Sequence, residues 1–104
     1  MSTIKIAGSP NLLRSTVVTV GAAAVQALEQ NKNRAGYRII GPIGNTNNLY
    51  HGHDSRVAVT SDDIIVPGGR LEDEGEWLTI YRGEVWLISD AAGQTAIIEE
   101  IIRT

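Results

Sequence analysis

The chain predicts an all-β fold, an antiparallel sandwich or small barrel of seven or eight short strands. Three observations carry this reading. Residues 15–20 (STVVTV) are almost wholly β-branched, and stiff β-branched side chains suit a pleated, half-buried surface better than a helix. Clusters of Gly, Pro, Asn, Asp and Ser recur about every 8 to 12 residues, the spacing of sandwich strands. No strand–helix–strand rhythm interrupts them. With 104 residues, 42% of them hydrophobic, the chain has enough apolar area for one core but not two. We divide it into an N-terminal arm (1–14) and a single domain (15–104).

Taken in order, residues 1–14 contain Gly8, Ser9, Pro10 and Asn11 in a row, which favours an extended arm whose apolar pair, Leu12 and Leu13, docks. After the strand at 15–20, residues 21–30 (GAAAVQALEQ) are ambiguous. Alanine, glutamine and leucine favour a helix, whereas the run is shorter than the roughly 12 to 15 residues at which a helix stands alone. A polar turn at 31–34 leads to a strand at 37–43, and the Asn-rich stretch 44–48 is a loop. A short strand is expected at 49–53 and another at 56–60 (RVAVT), where polar and apolar residues alternate. A three-residue strand at 64–66 stops at Pro67-Gly68-Gly69, where Pro second and Gly third fit a type II turn. Residues 71–76 (LEDEGE) read as a solvent-facing acidic loop, and 77–81 with 84–88 as a hairpin about Arg82-Gly83. A turn at 90–93 precedes the tail, 95–103 (TAIIEEIIR). Its isoleucines at i, i+1, i+4 and i+5 fit a helical stripe, while as residue types they favour a strand carrying a bulge.

Composition excludes several function classes. Nine Lys+Arg against twelve Asp+Glu give a net charge of −3, which leaves no excess of cations for a nucleic-acid backbone. No cysteine is present, so disulfides, thiolate metal sites and cysteine nucleophiles are absent. The uncharged stretch 15–28 is too short and too polar to cross a bilayer, and residues 1–5 lack the apolar run of a secretory signal. The expectation is a protein made in the cytoplasm, with no membrane partner.

Few residues suggest chemistry. His51, His53 and Asp54 have spacing that can hold a divalent ion, but with no third histidine or cysteine they read as surface residues, and neither a metal nor any other cofactor is expected. The carboxylates of Glu72, Asp73, Glu74 and Glu76 match no calcium-loop pattern and lack the burial that raises an acid's pKa. Pro67-Gly68-Gly69-Arg70 lacks the lysine of a phosphate loop, and no serine sits in a nucleophile elbow. An enzyme is not predicted. Trp77, Trp86 and Tyr81 read chiefly as core in a chain without Phe. Tyr50, Trp77 and Tyr81 are the aromatics that would contact a partner or sugar if exposed.

The order of elements from STVVTVG (15–21) through LEQNKNR (28–34), YRIIGPI (37–43) and IVPGG (65–69) to GEVWLISDAAGQT (83–95) resembles the small β-sandwich virion proteins of tailed bacteriophages, many of them capsid decoration (cement) proteins. The resemblance covers nearly all of 15–104 and rests on strand and turn patterns. It implies a jelly-roll-like sandwich, β structure at both ambiguous segments, and a homotrimer seated on the major capsid protein at the virion surface. The arm lies outside the resemblance, and its Leu12, Leu13 and Arg14 are the expected capsid contact. The alternative it leaves is a tail, baseplate or head-fibre component, or a carbohydrate-binding adhesion module.

Overall fold

The computed structural model describes residues 2–5, 11–73 and 80–103, with the backbone alone at 2–5. It contains two antiparallel sheets and, among the described residues, no helix. The strands are β1 (Ser2–Lys5), β2 (Asn11–Val20), β3 (Val25–Leu28), β4 (Arg34–Ile40), β5 (Leu49–Gly52), β6 (Ile64–Ile65), β7 (Arg70–Asp73), β8 (Val85–Ser89) and β9 (Gln94–Arg103). The five-stranded sheet runs β1-β2-β9-β4-β7 and the four-stranded sheet β3-β8-β5-β6.

The pairing is nested: β2 with β9, β3 with β8, β4 with β7 and β5 with β6. That is one long antiparallel ribbon folded at the β5–β6 connection. The pairs β4–β9 and β5–β8 then roll the ribbon into a two-sheet sandwich. Apart from β1, which extends one edge, this winding is that of a jelly roll.

Both ambiguous segments are β. Residues 25–28 form β3, with a bulge between Gln26 and Leu28. The tail is an unbroken ten-residue strand, because alternation resolves its isoleucines onto two faces. Ala96, Ile98, Glu100 and Ile102 point inward and are buried, while Ile97 and Ile101 point outward. The bulge on this side lies instead in β4, between Arg34 and Gly36. The helical reading fails because the inner row packs against the opposite sheet, a tertiary gain that local propensity does not register.

Other expectations are corrected. Residues 56–60 form turns, with the Val57 amide donating to the Asp54 carbonyl (3.2 Å) and that of Ser61 to the Ala58 carbonyl (2.9 Å). Val57 is buried and Val59 exposed, so the alternation there marks no strand. The start of the acidic segment is strand β7, paired with β4, and its Leu71 packs on the core. The expected hairpin partner of β8 is missing among the described residues: β8 lies between β3 and β5, residues 80–82 form no strand, and 77–79 lie outside the description. At 66–69 the type II turn forms as expected, with Gly68 at φ 81° and the Gly69 amide donating to the Val66 carbonyl at 2.8 Å.

The core lies between the sheets and is built from Val20, Ile39, Leu49, Ile65, Val85, Leu87, Ala96 and Ile98, with Tyr37 as its aromatic member. Burying each large aliphatic contributes about 1.5 to 3 kcal/mol. Trp86, expected in this core, is instead only half-buried: its neighbours Val85 and Leu87 take the inward positions on β8.

Candidate functional site

Three places on the sandwich collect polar or exposed side chains: a buried network between the sheets, an open pocket beside it, and the outer face of the four-stranded sheet.

Arg34 opens β4 and is fully buried. Its Nε donates to Glu100 Oε2 (2.8 Å), its NH1 to the carbonyls of Tyr81 (3.1 Å) and Gly83 (2.9 Å), and its NH2 to the carbonyl of Glu29 (2.6 Å). A guanidinium presents five donors in a rigid fork, which is why one side chain can hold β9 and two connecting segments together. Its Cζ also lies 5.4 Å from the Tyr37 ring centroid. Glu100 carries a second cation, Arg14 NH1, at 3.7 Å.

Tyr37 on β4 and His51 on β5 meet across the core, with the hydroxyl 3.1 Å from Nε2, and His51 Nδ1 lies 3.3 Å from Asp63 Oδ2. An ionised carboxylate only accepts, so Nδ1 carries the proton and Nε2 accepts from the Tyr37 hydroxyl. Burial pushes the His51 imidazole below its ordinary value, against an opposing pull from Asp63. Burial also holds the Tyr37 phenol well above its ordinary value, reinforced by Asp73 and opposed by Arg34. His53 meets His51 edge-on and stacks on Tyr81 at 3.8 Å between centroids.

Of the three residues with metal-binding spacing, His51 has both ring nitrogens engaged, and Asp54 is bound to Arg56 (2.9 Å), whose hydrogen bond holds the carboxyl below its usual value. No cluster of three metal-ligating side chains occurs among the described residues. The pocket, about 270 Å³, is lined by Arg14, Thr16, Leu28, Gln30, Ile98 and Glu100 among others, and none of the Tyr37–His51–Asp63 row borders it.

The remaining predicted residues are dispersed. Leu12 and Arg14 lie opposite inward-facing Ile102 and Glu100 of β9, whereas Leu13 lies opposite outward-facing Ile101. Trp77 lies outside the described residues. Tyr81 is held by its own hydroxyl, which donates to the Glu84 carbonyl (2.9 Å), and by the stack on His53. Tyr50 is half-buried on the outer face of the four-stranded sheet, cross-strand from Ile88 and Ile64. Trp86 shares that face, and Glu84 Oε1 accepts from both Trp86 Nε1 (2.9 Å) and Gln26 Nε2 (3.1 Å). Beyond the sheet, Ile43 is 87% exposed and Val66 51%.

Sequence reasoning missed Arg34, Glu100, Tyr37 and Asp63. One signal was available: strand alternation in the tail sets Glu100 on the face of Ile98 and Ile102, and a carboxylate on an apolar face requires a buried cation.

Fold and surface together define a jelly-roll β-sandwich with hydrogen-bonded polar side chains in its interior and aliphatic side chains turned outward. The chain matches no family model, no curated protein and no solved structure.

Proposed function

We propose that this protein is a structural subunit of a phage virion, a decoration subunit bound to the outside of the major capsid lattice, where it stabilises the head. The observation that carries the reading is the outward aliphatic surface: Val17, Ile43, Val59, Ile64 and Val66 are all exposed by more than two-fifths. These side chains lie on both sheets and on the loops that join them, and we take them as contacts to protein on more than one side of the sandwich rather than as a pocket for a small substrate. The resemblance of strand and turn order to phage virion sandwiches points the same way. The proposed partners are the major capsid protein and further copies of this chain. Quantitative mass spectrometry of purified particles tests this. Copy number scaling with the capsid lattice is expected, and absence from particles overturns the proposal.

A second reading, a tail or fibre component that binds carbohydrate, is favoured by one arrangement. Trp86 and Tyr50 lie on one face beside Glu84 and Gln26, and aromatic rings with an adjacent carboxylate and amide suit a sugar. Glycan-array binding lost in Trp86→Ala would support it, and a few copies per particle would favour it over a decoration role.

A further inference from the structure

The outer face of the five-stranded sheet has an unusual layout. Register places Val17, Ile97, Ile40 and Arg70 in one row across β2, β9, β4 and β7, and Ser15, Glu99, Arg38 and Glu72 in the next. A third row continues with Leu13, Ile101 and Gly36. Two aliphatic rows therefore flank a charged one, where an outer sheet face is ordinarily polar. Val17 is 68% exposed. Arg38 lies 3.2 Å from Glu99 and 3.9 Å from Glu72, and Arg70 lies 3.0 Å from Glu72. Two arginines and two glutamates leave these rows without net charge, although the chain carries −3.

We propose that this face is the contact for a second copy of the same chain, related by a two-fold axis lying in the interface, parallel to the strands and midway between β9 and β4. That operation sets Glu99 over the second copy's Arg38 and Arg38 over its Glu99. It also sets Ile97 over the second copy's Ile40, Ile101 over its Gly36, and Val17 over its Arg70. Glu99 and Arg38 meet opposite charges, like charges are kept apart, Ile97 closes on Ile40, and Val17 packs on the aliphatic stem of Arg70, as a self-complementary contact allows. Arg103 adds one positive charge at the end of this face, but within the three central rows the charges balance, so a strongly charged partner gains little from them. Face-to-face sheets pack about 10 Å apart, crossing at roughly 30°, so pairing is tightest near the axis. Under this operation β9 is covered by the second copy's β4 and β2 by its β7, so strand lengths and spacing give a projected contact of roughly 350 Å², which the corrugated surface exceeds. That is below the roughly 800 Å² per partner of a stable complex, as expected of an association that depends on concentration.

Sedimentation velocity on the purified full chain tests this without reference to any virion. The wild-type protein is expected to sediment as a concentration-dependent dimer of the 11.2 kDa chain. Val17→Lys, which faces the second copy's Arg70, is expected to weaken dimerisation at least tenfold with an unchanged circular dichroism spectrum. Ile43→Lys, off the face, is expected to leave the dimer intact. Arg38→Glu should weaken the dimer, and Arg38→Glu with Glu99→Arg should restore it, since each swapped charge again meets its opposite. A wild-type monomer at high micromolar concentration, a trimer, or a dimer indifferent to Val17→Lys would each overturn the proposal. Capsid binding by a strict monomer would leave the decoration reading standing while this one falls.

Discussion

His51 shows how one buried side chain sets a pH dependence. Burial lowers its pKa in the folded state, so below about pH 6.5 the unfolded chain takes up a proton that the folded chain does not. Stability is therefore full above that pH and falls as pH drops, by at most about 1.4 kcal/mol per unit from this group. Denaturant titrations between pH 7.5 and 5.5 should show the decline, and His51→Gln should flatten it. Tyr37 acts at the other end: its raised pKa makes the unfolded chain lose its proton first, so stability falls as pH rises above about 10. Arg34→Met leaves Glu100 buried without its closest cation and three carbonyls without a donor, and should cost roughly 3 to 5 kcal/mol in urea unfolding. Gly52 is required by close approach. A Cβ there would lie 2.7 Å from Cβ and Cγ2 of Val57, so Gly52→Ala should destabilise by about 1 to 3 kcal/mol in the same assay.

Among the elements, β9 carries the sharpest contrast. Ile98 is buried against the opposite sheet and Ile97 faces out, so Ile98→Ala should cost roughly 2 to 5 kcal/mol. Ile97→Thr should cost about 1 kcal/mol or less at dilutions where copies are apart. Urea melts of the two variants check this, and equal losses would contradict the assigned faces. The same strand shows what was legible and what was not. Turns and β-branched runs write their geometry locally, so the 15–20 strand, the Pro67-Gly68 turn and the loop at 44–48 could be read directly. The inner and outer rows of 95–103 could not, because two isoleucine pairs fit a helix or a strand until a partner sheet selects one. Alternation at 56–60 misled for the converse reason: period two without a pairing partner is only a sequence pattern. Charge in the acidic segment suggests a solvent-facing loop, yet a strand's outward face accommodates Arg70 and Glu72 while Leu71 turns in.

For the whole molecule, the two-sheet architecture followed from turn spacing and the missing strand–helix rhythm, whereas the nested pairing that rolls the ribbon joins residues far apart in sequence and leaves no local trace. The candidate site was less legible still. His51 and His53 were visible as a pair, but Tyr37 and Asp63, which engage both His51 nitrogens, come from other strands and loops. Arg34, Glu100, Tyr37 and His51 tie the two sheets together from within, and the exposed aliphatics are the surface on which the proposed protein contacts rest. Decoration of a capsid is tested by a cryo-electron reconstruction of heads assembled with and without this protein. Density of this sandwich repeated across the outer shell, and missing from heads that lack the chain, is expected. Density confined to the tail or neck, or no density on the particle, would contradict it.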